Sequence, residues 1–144
     1  MSDPVSALPV ESVQLGPHTV EIQGDCTLVR LRGPFVLDEM KKWCSLADQV
    51  IAAHRVLFTI SDFSAGGWFP ADSRHYASHW PNVVHIRGTA IFGASFAVNV
   101  MVSMTARVTA LVQKHAIPTV AVKTESEARA WIAAQRQKSK SERG

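Results

Sequence analysis

Apolar residues along the chain first alternate with polar ones and then change period. Val20 and Ile22 alternate with polar neighbours over Thr19–Gln23, Gly24-Asp25 reverses the chain, and Leu28, Val29 and Leu31 then stand against Arg30 and Arg32. Period-two runs on either side of a short turn predict a hairpin. Gly33-Pro34 ends it, and the spacing becomes helical: Val36, Met40, Trp43, Ala47 and Val50 form a stripe widened by Leu37, Cys44 and Ile51. That is an amphipathic helix ending near His54. Val56–Ile60 is a continuous apolar run suited to a strand buried on both faces.

The remaining signals repeat strand and helix. Ser61–Pro70 contains Gly66-Gly67 and reads as a loop, Pro70 opens a short helix through Trp80, and Pro81 closes it. Arg87–Phe92 is a strand closed by Gly93, Ser95 caps a long helix from Phe96 to about His115, and Thr119–Val122 is a strand after Pro118. Thr124 and Glu127 form a capping box for a last helix carrying Ala128, Trp131 and Ile132. The order is ββαβαβαβα. It predicts an α/β fold with a mixed, mostly parallel sheet of four to five strands, whose functional edge lies at the carboxyl ends of the parallel strands. Residues 1–17, with Pro4, Pro9 and Pro17, read as an N-terminal arm, 18–135 as the domain and 136–144 as a disordered basic tail.

Charge placement removes one functional class. The formal charge of +3 over 144 residues resides in Arg136, Lys138, Lys140 and Arg143 against Glu142, so the preceding residues are neutral and no nucleic-acid surface is implied. A hydrophobic fraction of 47% is too high for a disordered chain. Cys26 and Cys44 lack CxxC spacing and read as free buried thiols. The first 18 residues have neither a basic start nor a continuous apolar core, and the apolar run Phe96–Met104 is broken by Asn99 and followed by Arg107. No secretory signal and no stable membrane insertion are expected, which makes the expected location cytoplasmic.

The order of elements carries a family likeness, together with Leu57-Phe58-Thr59-Ile60-Ser61-Asp62-Phe63, Arg87-Gly88-Thr89-Ala90-Ile91-Phe92-Gly93 and Glu127-Ala128-Arg129-Ala130-Trp131-Ile132. Over residues 18–135 the chain resembles SpoIIAA-like proteins, which are grouped with STAS domains (sulfate transporter and anti-sigma-factor antagonist) and with a STAS/Sec14-like class. The resemblance implies a non-enzymatic, regulatory protein-interaction module. In anti-sigma-factor antagonists a serine at the start of the second helix is phosphorylated, and the position it implies here is Ser73 in Asp72-Ser73, with Ser64 the other hydroxyl of the region. A phosphate there would meet the free N–H groups of a helix terminus. The loop from Asp62 to Asp72 is longer than that pattern, and Arg74 replaces the small residue that follows the serine.

Three aromatics, Phe63, Trp68 and Phe69, surround the Gly66-Gly67 hinge, and water is a poor solvent for all of them. With Asp62, Ser64, His75, Tyr76, Trp80 and Phe96 they form the expected binding surface, for a protein partner or for an apolar small molecule held between the loop and the Phe96 helix. That helix is apolar nearly all round at its start, and Val100, Met101, Val102 and Met104 are the expected homodimer contact. His75 and His79 share a helix face, with Asp72 or His85 as a third donor, but two ligands leave a metal site open and no metal or other cofactor is expected. Asp62 and His75 are the acid–base pair that a small enzyme would use; GxSxG, P-loop and GxGxxG motifs are absent.

Overall fold

The computed structural model describes residues 4–143. Its main sheet uses β1 (Glu11–Leu15), β2 (His18–Gln23), β3 (Cys26–Arg30), β5 (Leu57–Asp62), β7 (Ile86–Phe92) and β8 (Thr119–Val122), in the order β1-β2-β3-β5-β7-β8. β4 (Gly33–Pro34) and β6 (Gly67–Trp68) form a separate two-stranded parallel pair. The β1–β2 and β2–β3 pairs are antiparallel, and β3–β5, β5–β7 and β7–β8 are parallel. The crossovers are α1 (Leu37–His54), α2 (Ala71–His79) and α3 (Phe96–Gln113), and α4 (Glu125–Arg143) closes the fold. The expected α/β architecture is present with one more strand than its upper count. That strand lies within the expected arm: Val13 sits opposite Val20 and Leu15 opposite His18, and Gly16 (φ +58°) makes the turn. Two prolines beside so short an alternation hide it in the sequence.

The sheet separates two apolar layers. Val20, Val29, Leu57 and Ile91 meet the α1 stripe of Met40, Trp43, Cys44, Ala47, Val50 and Ile51 on one face. Phe58, Ile60, Ala90 and Phe92 meet Ala128 and Ile132 of α4 on the other. The start of α1 is pinned by a buried polar knot. The Val36 N–H donates to Glu39 Oε1 at 2.9 Å, and that oxygen lies 3.1 Å from Nε2 of the wholly buried His18. His18 Nδ1 accepts from the Arg32 backbone N–H at 3.0 Å, which leaves the ring proton on Nε2 for the carboxylate.

The residues expected as a disordered tail are helical to Arg143. Arg136 is 3% exposed: its Nη2 donates to Asp25 Oδ1 at 2.8 Å, its Nε to Asp25 Oδ2 at 3.0 Å, and its guanidinium lies 5.1 Å above the Phe58 ring. One residue of the basic run is therefore an interior ion pair with the turn before β3. Charge counting along the sequence cannot reveal a partner 111 positions away.

Candidate functional site

Between the sheet and α3 lies a cavity of about 170 Å³. Its floor is a row of threonines, because Thr59, Thr89 and Thr119 are register partners on three adjacent parallel strands. Its roof is equally small: Thr105, Ala106 and Thr109 of α3, with Ala77 of α2 beside them. Short side chains on both walls cannot meet, so α3 rests on α2 and the turn Pro81–His85 instead of pressing onto the strands. Phe35, Phe69, Trp43, Trp80 and Ile117 complete an apolar wall. Four threonine hydroxyls donate within the protein: Thr59 to Thr89 Oγ1, Thr105 to the Met101 carbonyl, Thr109 to the Thr105 carbonyl and Thr119 to the Ile117 carbonyl. Thr89 accepts from Thr59, so its own proton can serve an acceptor in the cavity. Arg74 borders the cavity and also the groove outside it, between α2 and α3.

The loop aromatics divide. Phe63 is 3% exposed and meets Phe69 edge to face at 5.5 Å, and Phe69 meets Phe35 at 5.8 Å, so these rings cap the cavity end of the core. Trp68 points outward, 47% exposed, on β6. The Phe35 N–H donates to the Trp68 carbonyl at 2.9 Å, and a Cβ on Gly67 would lie 2.8 Å from Leu31 Cβ, so only glycine lets the pair approach this closely.

Six chains of known structure match this fold. The anti-sigma factor antagonist SpoIIAA in its unphosphorylated form is 15% identical over 88% of this chain and 97% of its own, with a TM-score of 0.50. A protein of the DUF3478 family from Shewanella loihica PV-4, described as having a SpoIIAA-like fold, is 10% identical over 91% of this chain and 98% of its own, with a TM-score of 0.53. This chain has the SpoIIAA-like fold. No family model matches it, and no curated protein matches it by sequence.

In this SpoIIAA-like domain the expected phosphorylation position is an anchor. Ser73 is wholly buried, and its hydroxyl donates to the Phe35 carbonyl at 2.7 Å, tying α2 to the core. Ser64 is exposed, and its hydroxyl and N–H both donate to Asp62 Oδ1. The other oxygen of Asp62 lies 3.1 Å from Arg30 Nη1, which also binds Glu125 at 2.9 Å. This ion cluster holds the Glu125 carboxyl below the usual carboxylate range, chiefly through the Arg30 hydrogen bond. Asp62 and His75 have separate partners, since His75 is exposed on α2 with its ring 4.2 Å from that of His79. No cluster of three metal-ligating side chains occurs among the described residues.

Trp80 is buried edge-on against Trp43 at 5.5 Å, and its Nε1 donates to Asp48 at 3.0 Å. Tyr76 lies on the surface of α2, 5.7 Å beneath the Lys41 ammonium. On α3, Phe96 is 84% exposed and Met104 61%, whereas Val102 turns inward to the cavity. The helix has 18 residues and a mean hydropathy of 1.3, the length and composition of a membrane span, yet it serves as the crossover between β7 and β8. The helix was expected at this length, from Phe96 to about His115, but its apolar character only as far as Met104. Of the residues expected around an apolar ligand between the loop and this helix, Phe69 and Trp80 line the cavity, whereas its threonines (Thr59, Thr89 and Thr119 on the strands, Thr105 and Thr109 on α3) were not singled out.

Proposed function

We propose that this SpoIIAA-like domain is a non-enzymatic binding protein that holds a small apolar molecule beneath α3. The observation that supports the reading is the cavity itself, about 170 Å³ walled by aromatic and aliphatic side chains. A cavity of about 150 Å³ in an apolar core stays dry and takes benzene, so the group that fits has about six to ten heavy atoms. A carbonyl or ether oxygen on it would accept from Thr89, and Arg74 at the border would meet a negative end. The test is thermal unfolding in saturating toluene. A rise in Tm in the wild type that disappears in Ala106→Leu supports the reading, and no rise in the wild type overturns it. Saturation to about a hundred times Kd corresponds to about 2.7 kcal/mol.

Trp68 favours a second reading, the regulatory protein-interaction module of STAS type. A half-exposed indole on a hydrogen-bonded platform is the sort of anchor on which an interface concentrates its energy, and its counterpart would be an apolar pocket on a partner protein. Control of that contact by phosphorylation at Ser73 would require the first turn of α2 to open, because the hydroxyl is enclosed.

A further inference from the structure

We propose that the outer face of α3 is the interface of a symmetric dimer, occupied by a second copy of this chain packed antiparallel across Met104. The face is apolar over a wide arc: Phe96 is 84% exposed, Met104 61%, Val108 48% and Leu111 80%, with Val100 and Val112 beside them. These side chains present roughly 700 Å² per copy, beyond the roughly 300–600 Å² of the largest patch on a typical monomer and close to the ~800 Å² that each partner contributes to a standard interface.

Their order fits a twofold axis. With Met104 on the axis, Val100 faces Val108 of the second copy, Phe96 faces its Val112, and Ala97 faces its Leu111. Each pair recurs on the other side, as an isologous contact demands. The Ala97–Leu111 pair sets a small residue against a large one. Ala97 also lines the groove of about 470 Å³ between α2 and α3, which gives the incoming leucine a seat. Arg107, the only formal charge on α3, faces Met101 of the second copy and so does not meet its own equivalent. A face without a carboxylate and nearly without a cation offers little to a charged partner, whereas it complements itself.

The proposal is independent of the cavity reading, because the stripe and the cavity lie on opposite sides of the helix. Sedimentation velocity of the wild type at about 100 µM is expected to give twice the 15.7 kDa chain mass. Met104→Glu, which places two carboxylates on the axis, is expected to give a monomer with unchanged circular dichroism and a Tm that, unlike that of the wild type, does not rise with protein concentration. Met104→Cys is expected to form a disulfide-linked dimer on oxidation, whereas Val108→Cys, whose counterpart is Val100, is not. A monomeric wild type, a Met104→Glu dimer, or equal cross-linking of the two cysteine variants would overturn the proposal. So would a monomeric wild type that floats with phosphatidylglycerol vesicles, which would assign the stripe to a membrane surface. The toluene shift measured on Met104→Glu keeps the two readings separable.

Discussion

Replacing Arg136 with alanine tests the part of the fold that departs furthest from its sequence pattern. The change removes the hydrogen bonds to Asp25 and the guanidinium above Phe58. The Asp25 carboxylate remains, 9% exposed and without its counter-ion. Breaking a buried pair from one side costs about 3–5 kcal/mol, a large share of a total stability of about 5–15 kcal/mol. With a urea m-value of about 2 kcal/mol per M, the unfolding midpoint should fall by roughly 1.5–2.5 M. Asp25→Asn combined with Arg136→Met should recover much of that loss, because neither charge is then buried alone. A midpoint shift equivalent to less than about 0.5 kcal/mol in Arg136→Ala, the range of an exposed side chain, would refute the reasoning and return the segment to a solvated tail.

Ser73→Asp should lower Tm more than Ser73→Ala, since aspartate buries a charge where alanine loses one hydrogen bond worth about 1 kcal/mol; equal shifts would place the hydroxyl in water. Ala106→Leu should leave the fold intact and raise stability by up to about 2 kcal/mol as it fills part of the cavity, and a loss of more than about 1 kcal/mol would mean that α3 already touches the sheet there. Burial, with Asp48 adding to it, pushes the Cys44 thiol from 9.0 up to about 12. The unfolded chain therefore releases this proton first, and stability should fall as pH rises from about 9 to 12. Urea midpoints at about pH 8 and 10.5 should converge in Cys44→Ser relative to the wild type, and an identical slope in the two would remove Cys44 as the cause.

Local chemistry was readable in the sequence; distant partnership was not. The α1 stripe, the β2–β3 hairpin and the capping box were legible because each is written within a few residues, and the Glu127 N–H does donate to Thr124 Oγ1 at 3.2 Å. The β1 strand escaped because its pairing with β2 shows only once Gly16 has turned the chain. Ser73 illustrates a deeper limit. A serine in a helix's first turn looks the same whether its hydroxyl faces water or the Phe35 carbonyl, and only the packing of β4 against β6 decides which. The aromatic loop was correctly singled out, but which ring faces outward depends on that same short pair.

α3 also determines how the molecule comes apart. Thr109 is its only fully buried residue. In a monomer, the state expected of Met104→Glu, a helix with so little holding it down opens at low free-energy cost, so its amides should exchange with deuterium ahead of those in β5 and β7. Arg107 within it and Lys114 at its end are then its tryptic bonds, and brief digestion of that variant should cut there first while the sheet stays whole.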